Sequence, residues 1–230
     1  MRVLWPLALL VAGAAAADPL PHVACPGHPR CLALIGQTQV QLPSLRGPWI
    51  VDLPDLPPTD DPEAILELWD QSPAFWSAHG LVGVTRTETT MYSGGGAHIQ
   101  WLFLLSPGEN RLDLALGLPI MGSKTIRACF SEADVIARND ACADLYDFDA
   151  SLTALPDTGT PPDLHYETRA TVFPPDARLD HDNSHLPVPQ DAAPATDPDC
   201  TFTRIFRWDD ASRSYRPDAP LPDCDTFTRL

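Results

Sequence analysis

Lysine is almost missing from this 230-residue chain: Lys124 stands alone among fifteen basic residues, and 31 Asp and Glu outnumber them all. The formal charge of −16 excludes the basic footprint that nucleic acid or an anionic lipid surface requires. A cationic protein or ligand is the partner such a surface attracts. A single lysine among so many arginines points to GC-rich coding. Long apolar runs are also lacking. None approaches the ~20 residues of a membrane-spanning helix, so no integral membrane segment is expected after removal of the leader described below. Cys-x-x-Cys is absent, which removes a thioredoxin-like redox pair and, with it, covalent haem attachment. Neither Gly-x-Ser-x-Gly nor His-Glu-x-x-His occurs, so two common hydrolase signatures are withheld. No catalytic residue and no cofactor follow from the motifs.

Residues 1–17, MRVLWPLALLVAGAAAA, supply what the rest lacks. Arg2 is followed by an apolar run of about ten residues and by Ala15-Ala16-Ala17, the small-residue pattern of a cleaved secretory signal peptide. The expected location is therefore periplasmic or secreted. In that oxidising setting Cys25, Cys31, Cys129, Cys142, Cys200 and Cys224 form an even set, read as disulfides between neighbours: Cys25–Cys31, Cys129–Cys142 and Cys200–Cys224. His22, Cys25, His28 and Cys31 recur every three residues, but Pro21, Pro26 and Pro29 forbid a helix that would converge them on a metal. A lipid anchor at Cys25 is disfavoured because Pro21 and His22 interrupt the apolar run it needs.

Proline organises the remainder. Of 26 prolines, only Pro107 and Pro119 fall between residues 74 and 155, and none falls in 163–173 or 199–216. Regular structure belongs in those windows. Asp61-Pro62-Glu63 and Ser72-Pro73 read as the starts of two short helices, the second stopped by Gly80. Ile99 to Leu105 is apolar on both faces and reads as a central strand. Leu112 to Leu118 alternates, and further strands are expected at 126–130, 146–154, 164–173 and 201–208. The fold class is mainly β: an antiparallel sheet, barrel or sandwich with two short N-terminal helices and Pro-rich arms, stapled by disulfides. The organisation expected is a signal peptide (1–17), a Pro-rich arm with the Cys25–Cys31 loop (18–59), a helix-plus-sheet core (60–173), a Pro-rich loop (174–198) that is solvated or disordered, and a disulfide-pinned C-terminal hairpin (199–230). Cys200-Thr-Phe-Thr-Arg204 is echoed by Cys224-Asp-Thr-Phe-Thr-Arg229, read as two short β-type segments.

The densest set of ligand-type side chains is Asp180-His181-Asp182-Asn183-Ser184-His185. His181 and His185 could share a helical face at i, i+4 with Asp182 beside them, a zinc-like pattern. They are the weak metal candidates, and also the seat of an alternative carboxylate and histidine hydrolase. Asp157-Thr158-Gly159 spells the aspartic-protease triplet once, in a turn context. Asp140, Asp144, Asp147 and Asp149 lack the EF-hand spacing and read as a solvated face. The function these features support is a non-catalytic binding or envelope-associated module.

Overall fold

The computed structural model describes residues 31–43, 49–59, 61–108, 111–156 and 158–230. The signal peptide, Cys25 and Asp157 lie outside the described residues. Three strands come first: β1 (Ala33–Ile35), β2 (Gln39–Leu42) and β3 (Trp49–Asp52), paired in that order into a small antiparallel sheet. There follow β4 (Ile65–Leu68), α1 (Ser72–His79), β5 (Val82–Tyr92), β6 (Gly95–Pro107), β7 (Leu112–Arg127) and α2 (Glu132–Ala137). The chain continues through β8 (Ala143–Ala154), β9 (Leu164–Phe173), β10 (Ala195–Thr196), β11 (Thr203–Asp209), β12 (Ser214–Pro217) and α3 (Asp225–Thr228). These later strands make a nine-stranded antiparallel sheet in the order β12-β11-β9-β8-β7-β6-β5-β4, with β10 added alongside β9. The mainly-β, antiparallel, disulfide-stapled class is what forms. Its edges β4 and β12 do not pair, so the sheet is open. It nevertheless curls, so that Arg213 in the β11–β12 turn donates to the Pro107 carbonyl at the end of β6.

Strand β6 is buried on both faces, as its unbroken apolar run requires. Leu102 and Leu104 join Leu116, Leu118, Tyr166 and Phe206 on one side. On the other, Phe103 and Leu105 meet Val82 and Val84 of β5, and Val40 and Leu42 of the small sheet. This second face carries another cover farther along. Ile99, Gly122, Phe148 and Ala170 lie in register across β6, β7, β8 and β9, and α3 sits above them with Phe227 against Phe148. Gly122 permits that approach: a Cβ there would come within 2.3 Å of the Phe227 carbonyl oxygen. The Cys200–Cys224 bridge holds α3 to the sheet, and Cys129–Cys142 closes the loop that carries α2.

Three expectations need correction. The residues after Asp61-Pro62 form strand β4, not a helix. Asp61 does satisfy local donors, accepting from Glu63 N at 2.8 Å, but it also accepts from Thr89 N at 2.8 Å and so docks the segment on β5. A cap and an Asx turn share one local signal, and the free edge of β5 decides which forms. Of the two N-terminal helices, only Ser72–His79 appears, stopped by Gly80 at φ 69°. Next, 112–118 and 126 belong to one strand that runs through Pro119. A register shift between Gln100 and Trp101 absorbs the donor that proline lacks. Last, the two echoed segments diverge. Thr203-Arg204 pairs with β9 at Glu167 and Tyr166, whereas Asp225–Thr228 is the helix α3.

Candidate functional site

The metal candidates do not gather. Residues 180–185 form turns rather than a helix, so His181 and His185 share no helical face. His181 Nδ1 lies 2.7 Å from Asp180 Oδ1, and His185 Nδ1 lies 3.3 Å from Asp134 Oδ1 on α2. Asp182 accepts from Ser184 N at 3.0 Å. Each turns to a different partner, and among the described residues no three His, Cys, Asp or Glu are grouped to hold an ion. The carboxyls of Asp180 and Asp182 are held below the usual range, the first chiefly by its hydrogen bond from His181, the second chiefly by the Ser184 N–H. Thr158 makes the turn after the β8 strand, accepting from Asp163 N at 2.8 Å.

The same segment instead closes a buried network. Arg138, fully buried after α2, donates from Nε to Ala141 O at 2.8 Å, from Nη2 to Asp144 Oδ1 at 2.6 Å, and from Nη1 to Asn183 O. The Asn183 amide donates to Asp144 Oδ2 at 2.8 Å, and Asn139 Nδ2 reaches Val188 O at 2.6 Å. Residues 174–198, expected as a solvated loop, are thereby fastened to α2 and β8, with Ala177, Ser184 and Val188 buried. Asp147 and Asp149 are exposed, as their alternation implied, but Asp144 is not.

A different place carries the more unusual chemistry. On the second face of the large sheet, the covers formed by the small sheet and α3 leave a gap. Arg86 and Glu88 of β5 rise into it opposite Trp101 and Ile99 of β6. Arg86 and Glu88 occupy the positions that continue the apolar register of Val82 and Val84, and each is 7% exposed. Arg86 Nη2 lies 2.7 Å from Glu88 Oε1 in an ion pair, and Arg86 Nε is buried without a hydrogen-bond partner. Arg86 Nη1 donates to Pro57 O, and the guanidinium lies 5.1 Å from the centre of the Phe103 ring.

Two clefts meet at Arg86. One, of about 390 Å³, has Arg86, Glu88 and Trp101 as its floor and lies between Pro57–Thr59 and the C-terminal residues Asp225 to Leu230. The other, of about 680 Å³, runs from Arg86 past Leu53 and Leu56 towards Leu66. They share Arg86, Pro57, Pro58 and Thr59. Their ionisable lining is Asp55, Asp61, Glu88 and Asp225 against Arg86 and Arg229. Arg229 is paired with Asp225 at 3.3 Å, so the excess is acidic. Lys124 lies buried beneath α3 and donates to Asp225 O at 3.3 Å, its ammonium pKa lowered by burial against the raising effect of Asp225. The chain's lone lysine thus braces one cleft wall.

Sequence reasoning passed over Arg86 and Glu88 because they sit in the polar run Thr85-Arg86-Thr87-Glu88-Thr89-Thr90. The available signal was the alternation begun by Val82 and Val84, which places both charges at core positions. No protein-family model, curated protein or solved structure matches this chain.

Proposed function

We propose that the protein is an exported, non-catalytic binding module whose acidic cleft system receives a cationic partner. The observation that carries this reading is the pair of clefts that meet at the buried, incompletely bonded Arg86, the smaller one floored also by its ion-pair partner Glu88. Their volumes fall within the roughly 300–1,000 Å³ of preformed ligand sites, and their lining mixes apolar surface with a few placed polar groups. The excess of acid at the cleft matches that of the whole chain, so long-range attraction and local recognition favour one sign of charge. The leader pattern and the Cys129–Cys142 and Cys200–Cys224 disulfides support an extracytoplasmic setting. No helix among the described residues is long and apolar enough to cross a membrane.

Titration with a fluorescent oligo-arginine probe, and with an oligo-glutamate control, tests the reading. The cationic probe is expected to bind and to weaken as salt rises from low to physiological strength. Absence of any salt-sensitive cationic binding overturns it. The Asp180–His185 segment, the alternative seat of hydrolytic or metal chemistry, directs its polar groups to α2, β8 and itself. Nothing in its geometry favours that second reading.

A further inference from the structure

Independently of the clefts, we infer that the end of the large sheet carrying α2 is a self-association surface, through which two copies of this chain close a two-fold dimer by exchanging Ile136. Strand β5 ends here at Tyr92, β6 starts at Gly95, β7 ends at Arg127 and β8 starts at Ala143, with Gly95, Ile126 and Asp144 in register. Large apolar side chains stand in the open at this end: Met91, Tyr92, Phe130, Ile136 and Leu179, of which Ile136 is 71% and Phe130 68% exposed. Several of them are neighbours. The Tyr92 hydroxyl donates to Thr125 O on β7 at 3.1 Å, and the Arg127 guanidinium lies 5.3 Å from the centre of the Phe130 ring. Arg127 and Phe130 in turn line one hollow with Leu179. Clustered apolar exposure marks an association surface, whereas apolar residues scattered singly do not.

The surface carries both halves of a contact. One half is the hollow, of about 210 Å³, whose apolar lining is Ile126, Ala128, Phe130 and Leu179; it has room for one large aliphatic side chain. The charged groups around it are mostly engaged: Arg178 and His181 turn to Asp180, and Asp182 accepts from Ser184 N. Arg127 differs. Its Nε donates to Cys129 O at 2.8 Å, and among the described residues it meets no carboxylate. The other half is α2. Asp134 and Arg138 turn inward, so Glu132 and Ile136, also four residues apart, share the outer face, and both are exposed. Among the described residues Glu132 meets no base. Charge therefore chooses the occupant: an apolar knob with an unmatched acid one turn before it suits an apolar hollow with an unmatched arginine at its edge. Knob and hollow belong to the same end of one chain, so a two-fold rotation satisfies both at once. Each copy's Ile136 enters the other's hollow, and each Glu132 meets the other's Arg127.

Sedimentation equilibrium on the mature protein tests this, at physiological salt so that repulsion between two acidic copies is screened. A reversible monomer–dimer equilibrium is expected. Ile136→Ser, a change at an exposed position, is expected to weaken the dimer at least about a hundredfold, because each dimer loses two buried side chains. Glu132→Arg and Arg127→Glu are each expected to weaken it as well. An equimolar mixture of those two variants is expected to regain association, since both cross-pairs then join opposite charges. That recovery separates direct pairing from misfolding. A monomer up to millimolar concentration, a dimer indifferent to Ile136→Ser, or a mixture no tighter than its components overturns the inference. Growth beyond a dimer also overturns it, because the surfaces then do not close. None of these results alters the reading of the clefts, which share no lining residue with this hollow.

Discussion

Among the described residues two arginines are buried, and they are treated in opposite ways. Arg138 spends Nε, Nη1 and Nη2 on Ala141, Asn183 and Asp144, and Asp144 in turn uses both oxygens. Arg86 leaves Nε without a hydrogen-bond partner, and its Nη2 meets Glu88 Oε1 at 2.7 Å as an ion pair. A buried ion pair repays its desolvation only when good geometry and further hydrogen bonds complete it. The Arg138 network meets that condition and joins α2, β8 and residues 174–198. The Arg86 pair does not meet it and lies on the floor of a cleft. Burial of charge therefore does not mark function. The proposed binding site is drawn instead from an incomplete set of bonds beside open space.

The contrast is most easily broken by removing one member of each pair. Arg138→Ala strands Asp144 and frees the Asn183 carbonyl, and is expected to cost roughly 3–5 kcal/mol, the range for an uncompensated buried charge. Denaturant unfolding measures it, and hydrogen exchange should show residues 174–198 losing protection. Replacing both members separates the two sites further. Arg138→Leu/Asp144→Leu still destabilises, because the Asn183 amide loses its acceptor. Arg86→Leu/Glu88→Leu is expected to be neutral or stabilising by about 1–4 kcal/mol, since hydrophobic side chains replace an unfinished pair. Equal losses from the two double variants would erase the distinction.

The disulfides sharpen the same comparison at a somewhat smaller scale. Each closes a short loop, with sequence separations of 13 for Cys129–Cys142 and 24 for Cys200–Cys224. Loss of either is expected to cost about 3 kcal/mol if unfolded-chain entropy dominates. Their consequences for binding should differ. Cys200–Cys224 holds α3, a wall of the cleft, whereas Cys129–Cys142 brackets α2 on the Arg138 side. Cys200→Ala/Cys224→Ala should weaken cationic probe binding, and Cys129→Ala/Cys142→Ala should leave it unchanged under conditions where both variants are folded.

What could be seen in the sequence follows the same physics. Strands β6, β8, β9 and β11 announced themselves because their apolar residues alternate or run unbroken, and the pairing of Cys129 with Cys142 and of Cys200 with Cys224 followed from proximity in an oxidising setting. Strand β5 was missed because its outer half is threonine and charge. The small sheet was missed because prolines surround it, and a four-residue strand such as β2 carries little periodicity. Asp61-Pro62 misled because caps and Asx turns use one hydrogen bond, and only a neighbouring strand edge tells them apart. The repeated Thr-Phe-Thr-Arg shows the limit most directly. Identical residues pair with β9 in one place and coil above Gly122 in another. The candidate site needed registers that bring Arg86 beside Trp101, and no local pattern encodes a register.

The smallest expected effect lies at the start of α2, on the completed side of the comparison. Ser131 caps the helix by accepting from Asp134 N at 3.3 Å, while Asp134 Oδ2 accepts from Phe130 N at 2.9 Å and Ser131 N at 2.8 Å. Ser131→Ala should cost about 1 kcal/mol, the usual value of such a cap. The Phe130 N–H, above all, holds the Asp134 carboxyl below the usual range. A carboxyl whose pKa is depressed by folding stabilises above its unfolded pKa, about 4, and that stabilisation is lost as pH falls through the folded value. Unfolding midpoints of wild type should therefore fall more steeply below about pH 4 than those of Asp134→Asn, whose amide does not titrate. Parallel acid limbs would place the charge of Asp134 outside the balance that fastens α2.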